Sequence, residues 1–292
     1  MSFPVHDLGA DEFPIRLNEI PQPPKQLNYR GVLPGNEMKL LSIVGSRKYT
    51  SYGKQCVDEL VNGLRGYHIG IVSGMALGID SLAHEAALAN NLYTLAIPGS
   101  GLDDSVLYPA THKPLARKIL ESGGGLLSEF NPTERSHAGA FHQRNRLVAG
   151  ISHATLLVEA AEKSGTLITA RMCTDYNREL LVVPGSIFSR QHDGIHQFLK
   201  LGATPVTCTQ DILQVLNIDT SNERQPTLTD ALPSLTDDER AVLAALHEPL
   251  NRDEMIRSLE SSMDIAKATQ TIMMMELGGL VVQSGGVYRV GR

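Results

Sequence analysis

Between Leu40 and Val183 six short apolar runs alternate with longer amphipathic stretches, and this alternation restricts the chain to a parallel sheet with crossover helices. The runs are Leu40–Val44, Ile69–Val72, Leu92–Ile97, Gly125–Leu127, Ala154–Val158 and Leu180–Val183. The stretches between them predict helices over Ser51–Arg65, Ile79–Asn90, Pro114–Ser122, Asn145–Ala149 and Leu167–Tyr176, with a further helix and strand near 194–201 and 204–206. Because parallel crossovers are right-handed, the economical assembly is an α/β, doubly wound, mostly parallel sheet.

The rest of the chain falls around that block. Residues 1–38 carry several prolines and no periodic apolar pattern, and read as an extended lead-in to a main domain over 39–216. Residues 217–234 lose periodicity and read as a linker. Three helices over Leu235–His247, Arg252–Leu259 and Asp264–Leu277, then a hairpin of Leu280–Gln283 and Val287–Val290 turning at Ser284-Gly285-Gly286, predict a small winged-helix domain over 235–292. The three cysteines lie far apart, without zinc spacing, and are expected as plain thiols with no metal. There is no signal-peptide pattern and no apolar run long enough to span a bilayer, so no membrane partner and a cytoplasmic location are expected. A formal charge of −6 supplies no global attraction to nucleic acid, so any phosphate binding rests on a local patch.

In open parallel sheets ligands bind beyond the carboxyl ends of the strands. The residues there are alike in type: Gly45-Ser46-Arg47-Lys48, Gly74-Met75-Ala76-Leu77-Gly78, Gly99-Ser100-Gly101 and Ser164-Gly165-Thr166. Glycine admits positive φ and close approach of a phosphate, and the helix that follows adds unpaired donors. One such turn needs glycine whatever it binds, but four along one edge predict an anion-binding shelf. A dinucleotide site would need G-x-G-x-x-G after the first strand and an acid after the second, and neither is present.

The segment Phe141-His142-Gln143-Arg144-Asn145-Arg146 sets two guanidinium groups, an amide and an aromatic within six residues. Arg pairs with phosphate, an aromatic face stacks on a base, and Asn supports a base edge. The plainer alternative is a helix start whose arginines bridge to Glu129 or Glu159. Catalytic candidates are thin: Asp80 with His84 as an acid–base pair, against a capping Asp and a helix-face His; Glu159 as a base without a nucleophile; and Ser100, which lacks the nucleophile-elbow spacing. The Met273-Met274-Met275 run reads as core packing in the last helix.

These residues, in this order, resemble the DNA-processing protein A (DprA, or Smf) family over about Phe13 to Leu216. The resemblance is carried by Val44-Gly45-Ser46-Arg47, Ser73-Gly74-Met75-Ala76-Leu77-Gly78-Ile79-Asp80, Gly99-Ser100-Gly101-Leu102-Asp103 with Tyr108-Pro109, Arg144-Asn145-Arg146, Ser164-Gly165-Thr166-Leu167-Ile168-Thr169-Ala170 and Val183-Pro184-Gly185-Ser186. It implies a Rossmann-like fold without catalytic activity or cofactor that binds single-stranded DNA, dimerises, and helps load the RecA recombinase during DNA uptake or recombination. It implies a DNA pocket at Gly45, Ser46, Arg47 and Lys48 with Gly74, Met75, Gly101, Phe141, Arg144, Asn145, Arg146, Ser164, Gly165 and Thr166. Dimer contacts would lie at Ile195, His196, Phe198 and Leu199. The lead-in is too short for the N-terminal helical domain that many relatives carry, Phe130–His137 departs from the usual Pro-rich connection, and His112 replaces a more usual Asn as a surface change. The alternative reading is a nucleotide-hydrolysing enzyme of the lysine-decarboxylase-like superfamily, whose Pro-Gly-Gly-x-Gly-Thr motif is not matched at Ser164-Gly165-Thr166.

The winged-helix region carries six basic against nine acidic residues, a net of −3. Its candidate recognition helix, Asp264–Leu277, holds one Lys and no Arg, too little for major-groove docking. It is expected to contact protein, or its own chain, rather than duplex DNA.

Overall fold

The computed structural model describes residues 3–219, 235–246, 250–260, 262–284 and 287–290. The chain divides into two compact units, Met1–Thr220 and Ser221–Arg292.

The first unit is built on strands β1 (His6–Leu8), β2 (Leu27–Gly31), β3 (Lys39–Val44), β4 (Ile69–Ser73), β5 (Tyr93–Ala96), β6 (Gly125–Ser128), β7 (Ala154–Leu157), β8 (Glu179–Val182) and β9 (Thr204–Pro205). They form one sheet in the order β1-β2-β6-β5-β4-β3-β7-β8-β9. β3 to β9 are mutually parallel, while β2 pairs antiparallel with β6, and β1 with β2. Its helices are α1 (Ile15–Asn18), α2 (Ser51–Asn62), α3 (Ile79–Ala89), α4 (Lys113–Glu121), α5 (Ala140–Ile151), α6 (Thr166–Asp175), α7 (Asp193–Lys200) and α8 (Thr209–Val215).

Strand period two decides which helix each side chain meets. In β3, Leu40 and Val44 join the core of α5, α6 and α7, and Ser42 on that face donates to the Val148 carbonyl of α5 at 2.8 Å. Leu41 and Ile43, both wholly buried, join the opposite core with Val57 and Leu60 of α2, Leu82 of α3 and Ile212 of α8. Beyond β5, Ala96 and Leu126 are covered by Leu115 and Ile119 of α4. The sheet is therefore covered on both faces, which is why its strands read as continuous apolar runs.

The lead-in is not the loose segment that its prolines suggest. It supplies β1, β2 and α1, and buries Leu8, Phe13, Leu17, Ile20 and Leu27 against the α5 face. Its polar residues hid the strand. Asn28 donates to the Phe130 carbonyl at 3.1 Å and Arg30 to those of Phe3 and Leu102, both at 2.8 Å, so buried polar groups interrupt the alternation of β2.

The second unit consists of α9 (Asp237–Ala245), β10 (Leu250–Asn251), α10 (Arg252–Leu259), α11 (Ile265–Leu277), β11 (Val281–Ser284) and β12 (Val287–Val290), with strand order β10-β12-β11. Thr236, Asn251 and Asp264 cap the three helices by accepting from Glu239, Glu254 and Lys267 amides. This is the expected winged helix. Most of the linker (220–234), part of the first helix's end and the Gly285-Gly286 turn lie outside the described residues. The methionine run is corrected. Met275 is 1% exposed, but Met273 and Met274 are each 61% exposed, because neighbouring helical residues point 100° apart.

Candidate nucleic-acid interface

The chain runs outward from β3 to β6 and then returns to place β7 beside β3, so strand order reverses between β3 and β7. Glu159 fills that switch point. Fully buried at the end of β7, it accepts from the amide and hydroxyl of Thr50, whose own hydroxyl accepts from Gly53 at the start of α2. A carboxylate at a helix N-terminus is a favourable cap. Glu159 thus ties the end of β7 to the start of α2.

The open cleft lies one strand over, at the carboxyl ends of β3, β4 and β5. Arg47, Gly74, Ala76, Leu77, Gly99, Tyr108, Pro109, Phe141 and Arg144 line it, around about 330 Å³ open to solvent. The Ser46 carbonyl accepts from Ile79 at 3.1 Å, and the Ser46 hydroxyl donates to the Lys48 carbonyl at 2.8 Å while accepting its amide at 3.0 Å. The turn is thereby fixed with Arg47 and Lys48 exposed. Arg47 places its Cζ 5.2 Å from the centroid of Phe141, a cation–π contact. It forms no ion pair among the described residues.

Arg144 and Arg146 separate. Two residues on a helix are 200° apart, so they leave α5 on different sides. Arg144, 4% exposed, donates to the carbonyls of Gly74 and Ile97 at the ends of β4 and β5, and its Nε donates to Asn145 Oδ1 at 3.0 Å. Burial lowers its pKa, and the buried Asp80 opposes that shift. Burial likewise raises Asp80, against the pull of Arg144 and of the Ala76 amide that it accepts. Arg146, expected at the pocket, is 9% exposed, pairs with Glu129 and donates to the Gln22 carbonyl. The bridging alternative holds for it, because α5 turns it away from the cleft toward the lead-in.

The glycines change meaning in the same way. A Cβ on Gly74 would fall 2.1 Å from Arg144 Nη1, and one on Gly99 2.9 Å from the Phe141 ring. They are small in order to admit an arginine and a phenyl ring, which in turn face the cleft. Gly101, expected in the pocket, is buried under the Asn131 and Pro132 carbonyls, and its amide donates to Glu134 at 2.9 Å. Met75 has φ 58° and is wholly buried beside Leu102 and Leu115, so its side chain is core. Gly45 packs on Ile79. Ser164, Gly165 and Thr166 lie next to the first turn, where Thr166 Oγ1 donates to the Gly45 carbonyl at 3.0 Å and accepts from Ser164 Oγ at 2.9 Å. Asn145, partly buried, holds Arg144 in place.

The remaining catalytic candidates also resolve into structure. His84 donates through Nδ1 to Thr94, whose hydroxyl is already committed to the Ile71 carbonyl, and burial pushes its pKa down to about 3. It does not pair with Asp80. Ser100 Oγ donates to the Gly101 carbonyl and accepts from the Tyr108 amide at 3.1 Å, shaping the loop. His112 is half-buried and bonds the Met75 carbonyl at 2.9 Å, more than a surface change. Of the expected dimer contacts, Ile195 (0%) and Phe198 (5%) are core residues of the α7 face, and only His196 and Leu199 are partly exposed. Sequence reasoning placed Ala76, Leu77 and Gly99 on the shelf at the strand ends but missed Tyr108 and Pro109 as lining residues. Tyr108 lies twelve residues past the end of β5, and only folding of the intervening loop brings it beside Phe141.

Among the described residues no group of three His, Cys, Asp or Glu side chains is placed to hold a metal, and no helix is long and apolar enough to cross a membrane. The family model for DNA recombination-mediator protein A matches residues 5–217, and that for the DprA winged helix domain matches 226–286. The chain is 37% identical to the DNA processing protein DprA of Streptococcus pneumoniae over 211 residues, covering 72% of this chain and 73% of that protein. It is 37% identical to protein Smf of Escherichia coli over 213 residues, spanning 56% of that relative. The S. pneumoniae DprA crystal structure aligns with TM-score 0.67 at 36% identity, over 73% of this chain and 74% of that one. DNA processing protein A of Helicobacter pylori, whose structure describes its single-stranded DNA binding mode, aligns with TM-score 0.65 at 29% identity, over 74% of this chain and 96% of that one.

Proposed function

The chain belongs to the DNA recombination-mediator protein A family, and on that premise we propose that it binds single-stranded DNA in the Arg47–Phe141 cleft. The observation that carries this reading is the unpaired, exposed guanidinium of Arg47, held over a phenyl ring at the mouth of a cleft lined by aromatic and apolar side chains. A phosphate pairs with the guanidinium, and bases lie on the apolar lining. Lys48 adds a second exposed cation, and the buried Arg144 lines the cleft next to them. Non-catalytic binding, followed by hand-off of the strand to a RecA recombinase, is the role that this cleft serves. The DNA-processing relatives do not favour the nucleotide-hydrolase alternative.

Competition for a labelled oligonucleotide tests the reading. Single strands are expected to displace it, whereas duplex and mononucleotide are not; equal displacement by duplex overturns the reading. Arg47→Glu is expected to weaken binding by at least about 100-fold, since it replaces a charge-assisted contact with repulsion. The hand-off predicts a shorter lag before RecA filaments grow on the bound strand. We further propose a homodimer formed through the partly exposed His196 and Leu199 with the neighbouring Leu201, which is 78% exposed.

A further inference from the structure

Three aromatic side chains surround the Arg47 turn, and they are not equivalent. Phe141 is half-buried, with Gly99 against its ring, Arg47 over it, and the Tyr108 ring 5.7 Å away at 56°. Its surroundings already occupy it, so its work is to hold the guanidinium. Tyr49 is 44% exposed but lies outside the cleft lining. Tyr108 lines the cleft and is 47% exposed.

The backbone of Tyr108 is fixed, and its ring leans on Phe141 with one side left to the cleft. The Tyr108 amide donates to Ser100 Oγ at 3.1 Å, and Ser100 is itself 1% exposed. Elsewhere in the sheet domain tyrosine hydroxyls tie segments together: Tyr52 donates to the Pro184 carbonyl at 2.6 Å and Tyr93 to that of Val32 at 2.8 Å. The Tyr108 hydroxyl has no such partner among the described residues. A ring set on a rigid loop, exposed in a cleft and free of structural bonds is a surface for stacking, and every base offers a π face to it.

We infer that Tyr108 is the base-stacking platform of the cleft, with Phe141 serving as the support that aims Arg47 at the adjoining phosphate. Base and phosphate of one nucleotide then meet neighbouring sides of the same phenyl ring. The assignment rests on the cleft being the single-strand site. It makes recognition tolerant of base identity and dependent on the presence of bases.

The test compares a thymidine oligomer with an abasic oligomer carrying the same number of phosphates. Tyr108→Ala is expected to raise the Kd for the thymidine oligomer by about 5- to 100-fold and to leave the abasic one unchanged, as loss of one stacked base requires. Tyr108→Phe retains both. Arg47→Glu weakens both ligands; if it weakens neither, the cleft itself is misassigned. If Tyr108→Ala weakens the two ligands equally, or neither, the stacking role is overturned while the cleft stands. The chain has no tryptophan, so Tyr108→Trp provides a single indole reporter. Its emission is expected to be quenched by the thymidine oligomer and not by the abasic one; unquenched emission with bound thymidine overturns the assignment.

Discussion

Arg144 and Arg146 stand two residues apart on α5 and do different work, one bonded to the carbonyls at the ends of β4 and β5 and the other paired with Glu129. The segment marks a cationic helix start, but only the 200° between the two residues and the position of Glu129 decide which one faces the cleft. Arg146 and Glu129 are buried together, so removing one partner leaves an uncompensated charge. Glu129→Ala is expected to lower the unfolding free energy by about 3–5 kcal/mol in urea titrations. His84 adds a pH dependence. Its folded pKa, about 3, lies below the ordinary value of 6.5, so its contribution is full above about pH 6.5 and is lost as pH falls toward 3, because the unfolded chain takes up the proton first. The melting temperature is expected to drop across that window, and His84→Gln to flatten the slope.

At the scale of elements, the parallel core was legible because strands covered on both faces become unbroken apolar runs, as β3, β4 and β7 do. β2 was not, since its buried Asn28 and Arg30 bond loop carbonyls that sequence does not bring near. The glycine-rich strand ends marked the correct edge of the sheet. Their reason was only half legible, because two of the glycines make room for Arg144 and Phe141 and Gly101 is buried beneath a loop. Gly99→Val is therefore expected to displace the Phe141 ring and, with it, Arg47. Single-strand affinity falls by about 10-fold or more as that cation–π contact is lost, while far-UV circular dichroism stays unchanged.

For the whole molecule, a net charge of −6 leaves binding to a local patch, which sets the salt response. Two or three phosphate contacts give a slope of log K against log salt of about −1.4 to −2.1, far shallower than that of a protein with a basic face. All lining residues of the cleft lie in Met1–Thr220, so a chain ending at Thr220 is expected to keep its single-strand affinity within about twofold. The winged helix fits that division. The one lysine of α11 is paired with Asp238 at 2.8 Å, and Ile265, Met273 and Leu277 of the same helix are exposed.

The two ends of the large sheet carry a consequence for how copies gather on a strand. One end is a three-residue strand and the other a two-residue strand finishing on Pro205, which has no amide hydrogen to give. Each therefore offers another chain only two or three residues to pair with, so copies of the protein lying close together on a strand are poorly placed to join by extending this sheet.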